Sequence, residues 1–577
     1  MKRTLAPTRP VAVRIAEEFD RFLGDPLDPT SRLSLRTIMR GDEAAELPDA
    51  VTEAMGEWGY AAHLVPRDLG GALGSPETLL TLCRTLSRRS MTVAVAFGST
   101  FLGANPIWLW GDDEQKAFVA DQILQGSFGG LALSESEHGS DLIATSTTAL
   151  PTPGGHVLHG TKWPVGNASR GSFLVVLART RAQPRQLGLF LVNKSRLDPA
   201  TWYNEPSIPT LGLRGHDVSG ITFRDCAVPA SATVGDVSDG LGHTVKALQI
   251  TKAFVAGLSL GAGDSALRFA LDYSRERRLY GQNVYALPII RHQLVEAYTD
   301  LLIAECVAAP VARSVSLAPE RLPLWASVSK YIVPLLVDDV VRGTSEVLGA
   351  RSYIRNGVYD GAFQKLQRDH AIAGIFEGTK QVNLHMIANQ LPDVRRLALG
   401  GASTTGGTPA LFEALFSRVA DAPDWKPDGD DLRMTNRGLD EFSQGWPATA
   451  DEIHRLATLA DAPTGLRAIG AAVDRLTGEW QLLWSDIERV MDSGDLVSDP
   501  EGFHLAHRYC LLFAAAACAN TWLVNRHALD GSFHRGEWLA ACLQRTLVRL
   551  GALRYVSYGP EVERMMLNYG VAGNAAG

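Results

Sequence analysis

Apolar residues recur at helical spacing over most of this chain, and one internal stretch breaks that rhythm. Up to about residue 126 the segments Arg14–Phe22, Glu43–Gly59, Pro76–Arg88 and Gln115–Gln125 each predict an amphipathic helix, the second ended by Gly56 and Gly59. Met91–Phe101, reading MTVAVAFGSTF, predicts a buried helix. Val65-Pro66-Arg67-Asp68-Leu69-Gly70-Gly71 has the chemistry of a turn. Between Gly126 and about Asp236 the period shortens. Phe173–Arg179, Leu187–Val192 and Gly220–Arg224 are rich in Val, Ile, Leu and Phe, and turns such as Pro151-Thr-Pro-Gly-Gly155 separate such runs. A compact antiparallel β domain is expected here. Helical spacing returns from Gly240 to Pro392, with Thr244–Tyr273 as a long helix. Gly400–Gly407, GGASTTGG, reads as a linker. Beyond it Leu466–Val490, Phe503–Asn525 and Gly536–Leu553 are long helical patterns. No internal repeat is evident.

This pattern predicts a mainly α member of the α+β class. Its expected parts are an N-terminal helical domain (1–126), a middle β domain (127–238), a helical bundle (239–392), a linker (393–408) and an additional C-terminal helical domain (409–577).

Composition adds boundaries. The apolar share of 46% in 577 residues is ample for a large core. A formal charge of −8 and a pI near 6.0 give no electrostatic case for nucleic acid. Six cysteines without a CxxC pair read as reduced thiols, and 14 histidines without an HExxH pattern suggest no metal site. The start, MKRTLAPTRPVAVRIAEEF, has no apolar core of a signal peptide, and the longest apolar run, Tyr509–Ala519, is too short to span a bilayer. A soluble, cytoplasmic protein without a membrane span is the expectation.

Candidate chemistry centres on Arg368–Gln381, RDHAIAGIFEGTKQ. Glu377 stands in a small, apolar setting beside Ile375 and Phe376, and Gly378 lets another group approach the backbone. Partial desolvation raises a carboxyl pKa and makes a usable general base. Other motif-like stretches carry less. Gly257-Leu-Ser-Leu-Gly261 imitates a hydrolase elbow and Gly261-Ala-Gly-Asp-Ser-Ala266 a dinucleotide loop, but both lie inside a predicted helix with no strand before them. Gly155–Lys162 imitates a P-loop but reads as strand.

Arg-Asp, seven residues, then Glu-Gly-Thr-x-Gln resembles the C-terminal signature of the acyl-CoA dehydrogenase family. The resemblance extends over roughly residues 40–392. Leu131–Asp141, LALSESEHGSD, resembles the family's flavin loop. Gly160–Ala168, GTKWPVGNA, resembles its G-x-K-x-W-I-T-N strand and turn. Thr210–His216 and Phe223–Pro229 follow the family's next two segments. Tyr273–Gly281, YSRERRLYG, resembles Y-x-x-x-R-x-x-F-G, and His292-Gln293 and Ser345–Tyr353 follow in family order. The C-terminal extension is similar to that of longer family members.

The resemblance implies FAD as cofactor and α,β-dehydrogenation of an acyl thioester. Glu377 would take the α-proton as the β-hydride leaves for flavin N5. It assigns flavin contacts to Leu133, Ser134, Ser140, Pro164, Val165 and Gly166, and dinucleotide contacts to Arg277, Tyr280, His292, Gln293, Glu346, Gly349, Thr379 and Gln381. Ser140, Lys252 and Gly378 would face substrate, Lys252 standing where relatives carry Arg. Implied partners are an acyl-CoA or acyl-carrier-protein substrate, an electron-accepting flavoprotein or oxygen, and a second copy in a homodimer.

Three departures stand out. Pro164 and Gly166 occupy the places of the family's Trp and Thr, with Trp163 one residue early. Glu346 replaces Gln, and a carboxylate beside a pyrophosphate is unfavourable unless bridged or protonated. These leave open a flavin oxidase or monooxygenase, decarboxylating or not, acting on a free or carrier-bound acid.

Overall fold

A computed structural model of the chain describes residues 9–181, 186–400, 409–459, 464–529 and 531–572. Of the expected linker 393–408, residues 401–408 lie outside them, and 393–399 belong to the helix Leu391–Leu399, whose pattern of Leu391, Val394 and Ala398 buries one face.

Six helices open the chain: Val11–Leu23, Leu35–Ala44, Asp49–Trp58, Pro76–Ser87, Met91–Trp110 and Asp113–Leu124. The single helix expected over Glu43–Gly59 is not formed. One helix ends at Ala44, Ala45 turns left-handed, and the next starts at Asp49 behind Pro48, whose ring disfavours a helical predecessor. Met91–Trp110 is buried along most of its length, and the Ser90 hydroxyl accepts the Val93 N–H at its start. Among the described residues it is the one helix long and apolar enough to cross a bilayer, and 83% of its apolar window is buried inside the protein. Ser99, Thr100 and Asn105 interrupt it in sequence, so it outlasts the Tyr509–Ala519 run only once folded as one helix.

The sheet follows. Its strands are β1 (Gly129–Ala132), β2 (Thr148–Thr152), β3 (Gly155–Gly166), β4 (Phe173–Arg179), β5 (Leu187–Asn193), β6 (Trp202–Glu205), β7 (Val218–Pro229) and β8 (Thr233–Val234). Their order is β6-β7-β3-β2-β4-β5-β8, with β1 beside β4. Most pairs are antiparallel, but β1 runs parallel to β4, with Gly129 opposite Phe173, and β2 meets β4 in parallel. The domain is therefore mixed, not wholly antiparallel as the strand pattern suggested. Period-2 patterning marks a strand's faces but not its direction against a distant neighbour.

Three long helices, Gly240–Glu276, Pro288–Leu317 and Leu322–Leu348, form the bundle. The glycines of the false elbow serve close packing. A Cβ on Gly257 would lie 2.5 Å from the Leu80 carbonyl oxygen, and one on Gly261 would lie 2.3 Å from that of Arg84. Of the C-terminal helices, Pro500–Asn525, Glu537–Arg549 and Pro560–Ala572 pack against this bundle, and Trp446–Ala457 and Thr464–Ser493 pack on Pro500–Asn525. Arg545 and Arg549 both pair with the buried Asp300. Asp440 accepts hydrogen bonds from Trp325 Nε1 at 2.9 Å and Tyr509 hydroxyl at 2.7 Å. All six cysteines are buried and unpaired.

Candidate active site

Glu377 lies between two helices of the bundle and its own loop. Ala362–His370 unwinds into turns, where the Phe376 N–H donates to the Ile372 carbonyl at 3.2 Å. Glu377 and Gly378 then take consecutive left-handed conformations, φ 54° and 97°. Such a φ costs a non-glycine residue about 1–2 kcal/mol and persists only where the surroundings enforce it. They do so here. Lys330 Nζ donates to the Ala373 carbonyl at 2.6 Å and lies 4.5 Å from the centre of the Phe376 ring. Asn383 Nδ2 donates to the carbonyls of Gly378 and Thr379, each at 2.9 Å. Thr379 caps the helix Lys380–Ala388 by accepting the Val382 N–H at 3.3 Å.

The Glu377 residue as a whole is half-buried, but its Oε2 is shut away from solvent and has no hydrogen-bond partner. Burial raises its pKa, against the pull of the Lys330 charge, the Thr251 hydroxyl and the Lys252 charge. Lys252 and Lys330 are themselves buried, and burial brings both ammonium groups down to about 8 although Glu377 favours their charge. Lys252 Nζ lies 3.7 Å from where a Cβ on Gly378 would stand, close beside the loop. A desolvated carboxylate between two cations, with a free acceptor atom, is equipped to take a proton from a bound molecule.

The sheet supplies a second set of groups. Lys162, fully buried on β3, donates to the Leu133 carbonyl at 2.8 Å and to Glu135 Oε1 at 2.9 Å. The Glu135 carboxylate also accepts the N–H groups of Ser146 and Thr147, at 2.8 and 2.9 Å. Burial opposes its charge, but the Ser146 hydroxyl, Lys162 and Thr147 prevail and hold it down to about 2. The Trp163 N–H donates to the Ser134 carbonyl at 2.9 Å, which joins the Leu133–Ser134 loop to the Trp163–Gly166 turn. Pro164 is exposed, Val165 buried and Gly166 half-buried, while Ser140 lies exposed at the end of its loop.

Thr379 and Gln381, assigned to the dinucleotide, stay beside Glu377, whereas the other six gather elsewhere, at the far ends of the bundle helices. Arg277 closes Gly240–Glu276, exposed and without an ion pair among the described residues. Tyr280 is 89% exposed on the hairpin of Arg278–Leu279 and Gln282–Asn283. Gln293 Nε2 donates to Glu346 Oε2 at 2.5 Å, so the unusual carboxylate has a neighbour's amide as its partner. Gly349 is exposed with φ 61°. His292 stacks on Tyr555 of the C-terminal region, ring centres 5.0 Å apart. Gln381 is exposed on the first turn after Thr379.

Sequence reasoning missed Thr251, Lys330 and the Lys162–Glu135 pair. Lys330 carried a signal, as the lone cation in the apolar run SVSKYIVPLLV. Glu135 and Lys162 meet only because the sheet brings β3 under the loop after β1.

Models of the acyl-CoA dehydrogenase N-terminal, middle and C-terminal domains match residues 15–127, 130–226 and 238–391. The chain belongs to the acyl-CoA dehydrogenase family. It is an FAD-dependent oxidoreductase of that type. Among curated relatives, the 3-(aryl)acrylate reductase of Clostridium sporogenes is 26% identical over 355 residues, 61% of this chain and 92% of that protein. The human mitochondrial short-chain specific acyl-CoA dehydrogenase is 28% identical over 358 residues, 61% of this chain and 84% of that protein. A solved acyl-CoA dehydrogenase of Bacillus anthracis, complexed with FAD, covers 97% of this chain and 94% of its own at a TM-score of 0.62 and 17% identity. That likeness extends over the C-terminal helices as well.

The residues present fit FAD, the cofactor of this family. A side-chain-free Gly166 ends β3 next to a loop whose backbone is pinned, and Glu377 Oε2 is buried without a hydrogen-bond partner in the protein.

Proposed function

We propose that this enzyme oxidises an acyl thioester, carried by coenzyme A or a carrier protein, to its α,β-enoyl product. The observation that carries the reading is Glu377: a carboxylate with one solvent-shielded, partnerless oxygen and a raised pKa in a glycine-backed loop. Leu133, Ser134, Ser140, Val165 and Gly166 would line the flavin ring, with exposed Pro164 at its margin. Bound FAD supplies the acceptor for the β-hydride. The protein's part is the proton. An α-proton is abstracted only if the thioester carbonyl is polarised as negative charge grows, and the N–H of Glu377 is the family's donor for that oxygen. Lys252, buried beside Gly378, adds a positive field over the same place. Ionised Glu377 takes the proton, and its neutral form is then favoured by the same burial. Ser140 and Gly378 would border the substrate.

Arg277, Tyr280, His292, Gln293, Glu346, Gly349, Thr379 and Gln381 remain the dinucleotide contacts of this reading. The helix rises about 36 Å between Lys252 and Glu276. One FAD does not reach both ends, so Arg277 would serve the flavin of a second copy in a homodimer.

A second reading, an oxidase passing electrons to oxygen, is favoured by one observation: exposed Pro164 and side-chain-free Gly166 replace the aromatic and hydroxyl that cover the ring in relatives. The test mixes FAD-loaded protein with acyl thioesters of graded length, with and without a flavoprotein electron acceptor. Enoyl product that depends on the acceptor supports the dehydrogenase. Oxygen consumption without it supports the oxidase, and no enoyl product from any thioester refutes the dehydrogenase.

A further inference from the structure

We infer that His216 is a flavin-contacting residue that takes over, from an adjacent loop, the place of the hydroxyl side chain missing at position 166. This rests on the reading that the reactive edge of the flavin ring meets the end of β3.

Gly166 is not simply a deletion. A Cβ at this position would lie 2.8 Å from Ser99 Oγ and 3.1 Å from His216 Nε2. The volume that a threonine would occupy is already held by a hydroxyl from the Met91–Trp110 helix and by an imidazole. The backbone that carries the imidazole is fixed. The Asn167 N–H donates to the Asp217 carbonyl at 2.8 Å, and the N–H groups of Ser169 and Arg170 donate to Asp217 Oδ2 at 2.9 and 2.8 Å. From there β3 and β7 pair in register, Gly166 opposite Val218. On its other side the loop is tied to the Glu377 segment. The Leu213 N–H donates to Asp369 Oδ1 at 2.7 Å, and a Cβ on Gly212 would lie 2.2 Å from the Arg368 carbonyl oxygen. His216 is thus registered against both halves of the candidate site.

The side chain also has unmet capacity. It is buried, and its Nδ1 has no hydrogen-bond partner. A buried polar atom left unpaired costs about 1–3 kcal/mol, and such atoms call for an explanation in a ligand or water. Burial keeps the ring neutral by bringing its pKa down to about 4, against the weaker pull of Asp217. A neutral imidazole offers one donor and one acceptor. It can donate or accept, as the lost hydroxyl could, and it adds no charge next to a ring that gains electrons. Ser99 fills the remaining space.

The experiment uses full-length FAD-loaded protein with His216→Leu, His216→Gln and Gly166→Ala. The readouts are the visible flavin spectrum, the midpoint potential and the FAD dissociation constant, with circular dichroism as the check on folding. His216→Leu should shift the flavin bands and potential and weaken FAD roughly five-fold, the worth of one hydrogen bond. His216→Gln, which keeps a neutral donor, should retain most of the wild-type spectrum. Gly166→Ala should crowd both Ser99 Oγ and the imidazole and shift the bands with His216 still present, which carries the test if the leucine variant does not fold. Folded, FAD-loaded His216→Leu or Gly166→Ala with wild-type spectrum and affinity would overturn the inference. A wild-type protein with no affinity for FAD would instead overturn the site reading beneath it.

Discussion

At the residue scale, the behaviour of Glu377 is set by burial, which disfavours its charge, against two ammonium groups and a hydroxyl, which favour it. Their signs give a pH dependence. Proton abstraction needs the ionised form, so kcat/KM should fall on the acid side as pH drops through the raised pKa of Glu377. Lys330 favours that ionised form. Lys330→Met should therefore move the acid limb to higher pH, whereas a merely loosened loop would lower the rate at every pH. The pH profiles of kcat/KM for both proteins decide between these outcomes. Much of this residue's setting was legible in the sequence, because Ile375, Phe376 and Gly378 are its chain neighbours. The lysines were not, since Lys252 and Lys330 reach it from helices more than forty residues away in the chain.

At the element scale, the loop Leu133–Glu135 proposed to meet the flavin depends on one buried ion pair. Lys162→Met would leave Glu135 charged, buried and without its cation, which costs about 3–5 kcal/mol. Chemical denaturation should show that loss, and FAD affinity should fall with it because the Leu133 carbonyl loses its donor. The stabilising share of Glu135 is present above its ordinary 4.5 and is lost as pH falls toward about 2, since protonation removes the charge Lys162 answers. Retained stability in Lys162→Met would contradict the role given to the pair. Local pattern announced the helices and strands themselves, since periodicity is a property of neighbours in sequence. Pro48 was visible and still misjudged: the apolar rhythm runs through Glu43–Gly59 while the backbone cannot. The parallel pairing of β1 with β4 was illegible, because nothing in four residues encodes the direction of a strand forty positions later.

At the scale of the whole molecule, the separation of Lys252 from Arg277 predicts shared sites. Glu377→Gln and Arg277→Ala should each be inactive alone, the first holding FAD and the second losing it. Refolded together in equal amounts, they should recover about a quarter of wild-type activity, since half the dimers are mixed and each mixed dimer has one intact site. No recovery would mean that one subunit supplies both Arg277 and Glu377 to its flavin. The C-terminal helices were expected from their periodicity, but their anchoring through Asp300 and Asp440 was not, because Asp300 meets Arg545 and Arg549, and Asp440 meets Trp325 and Tyr509, from distant parts of the chain. The most direct measurement concerns the base itself. FAD-loaded wild type and Glu377→Gln are mixed anaerobically with an acyl thioester, and loss of the visible flavin band is followed in time. The wild type should bleach, and the variant should keep its flavin yet bleach at least about a hundred-fold more slowly, within the range of general-base catalysis. Equal bleaching rates would contradict the assignment of Glu377 and the proposed mechanism with it.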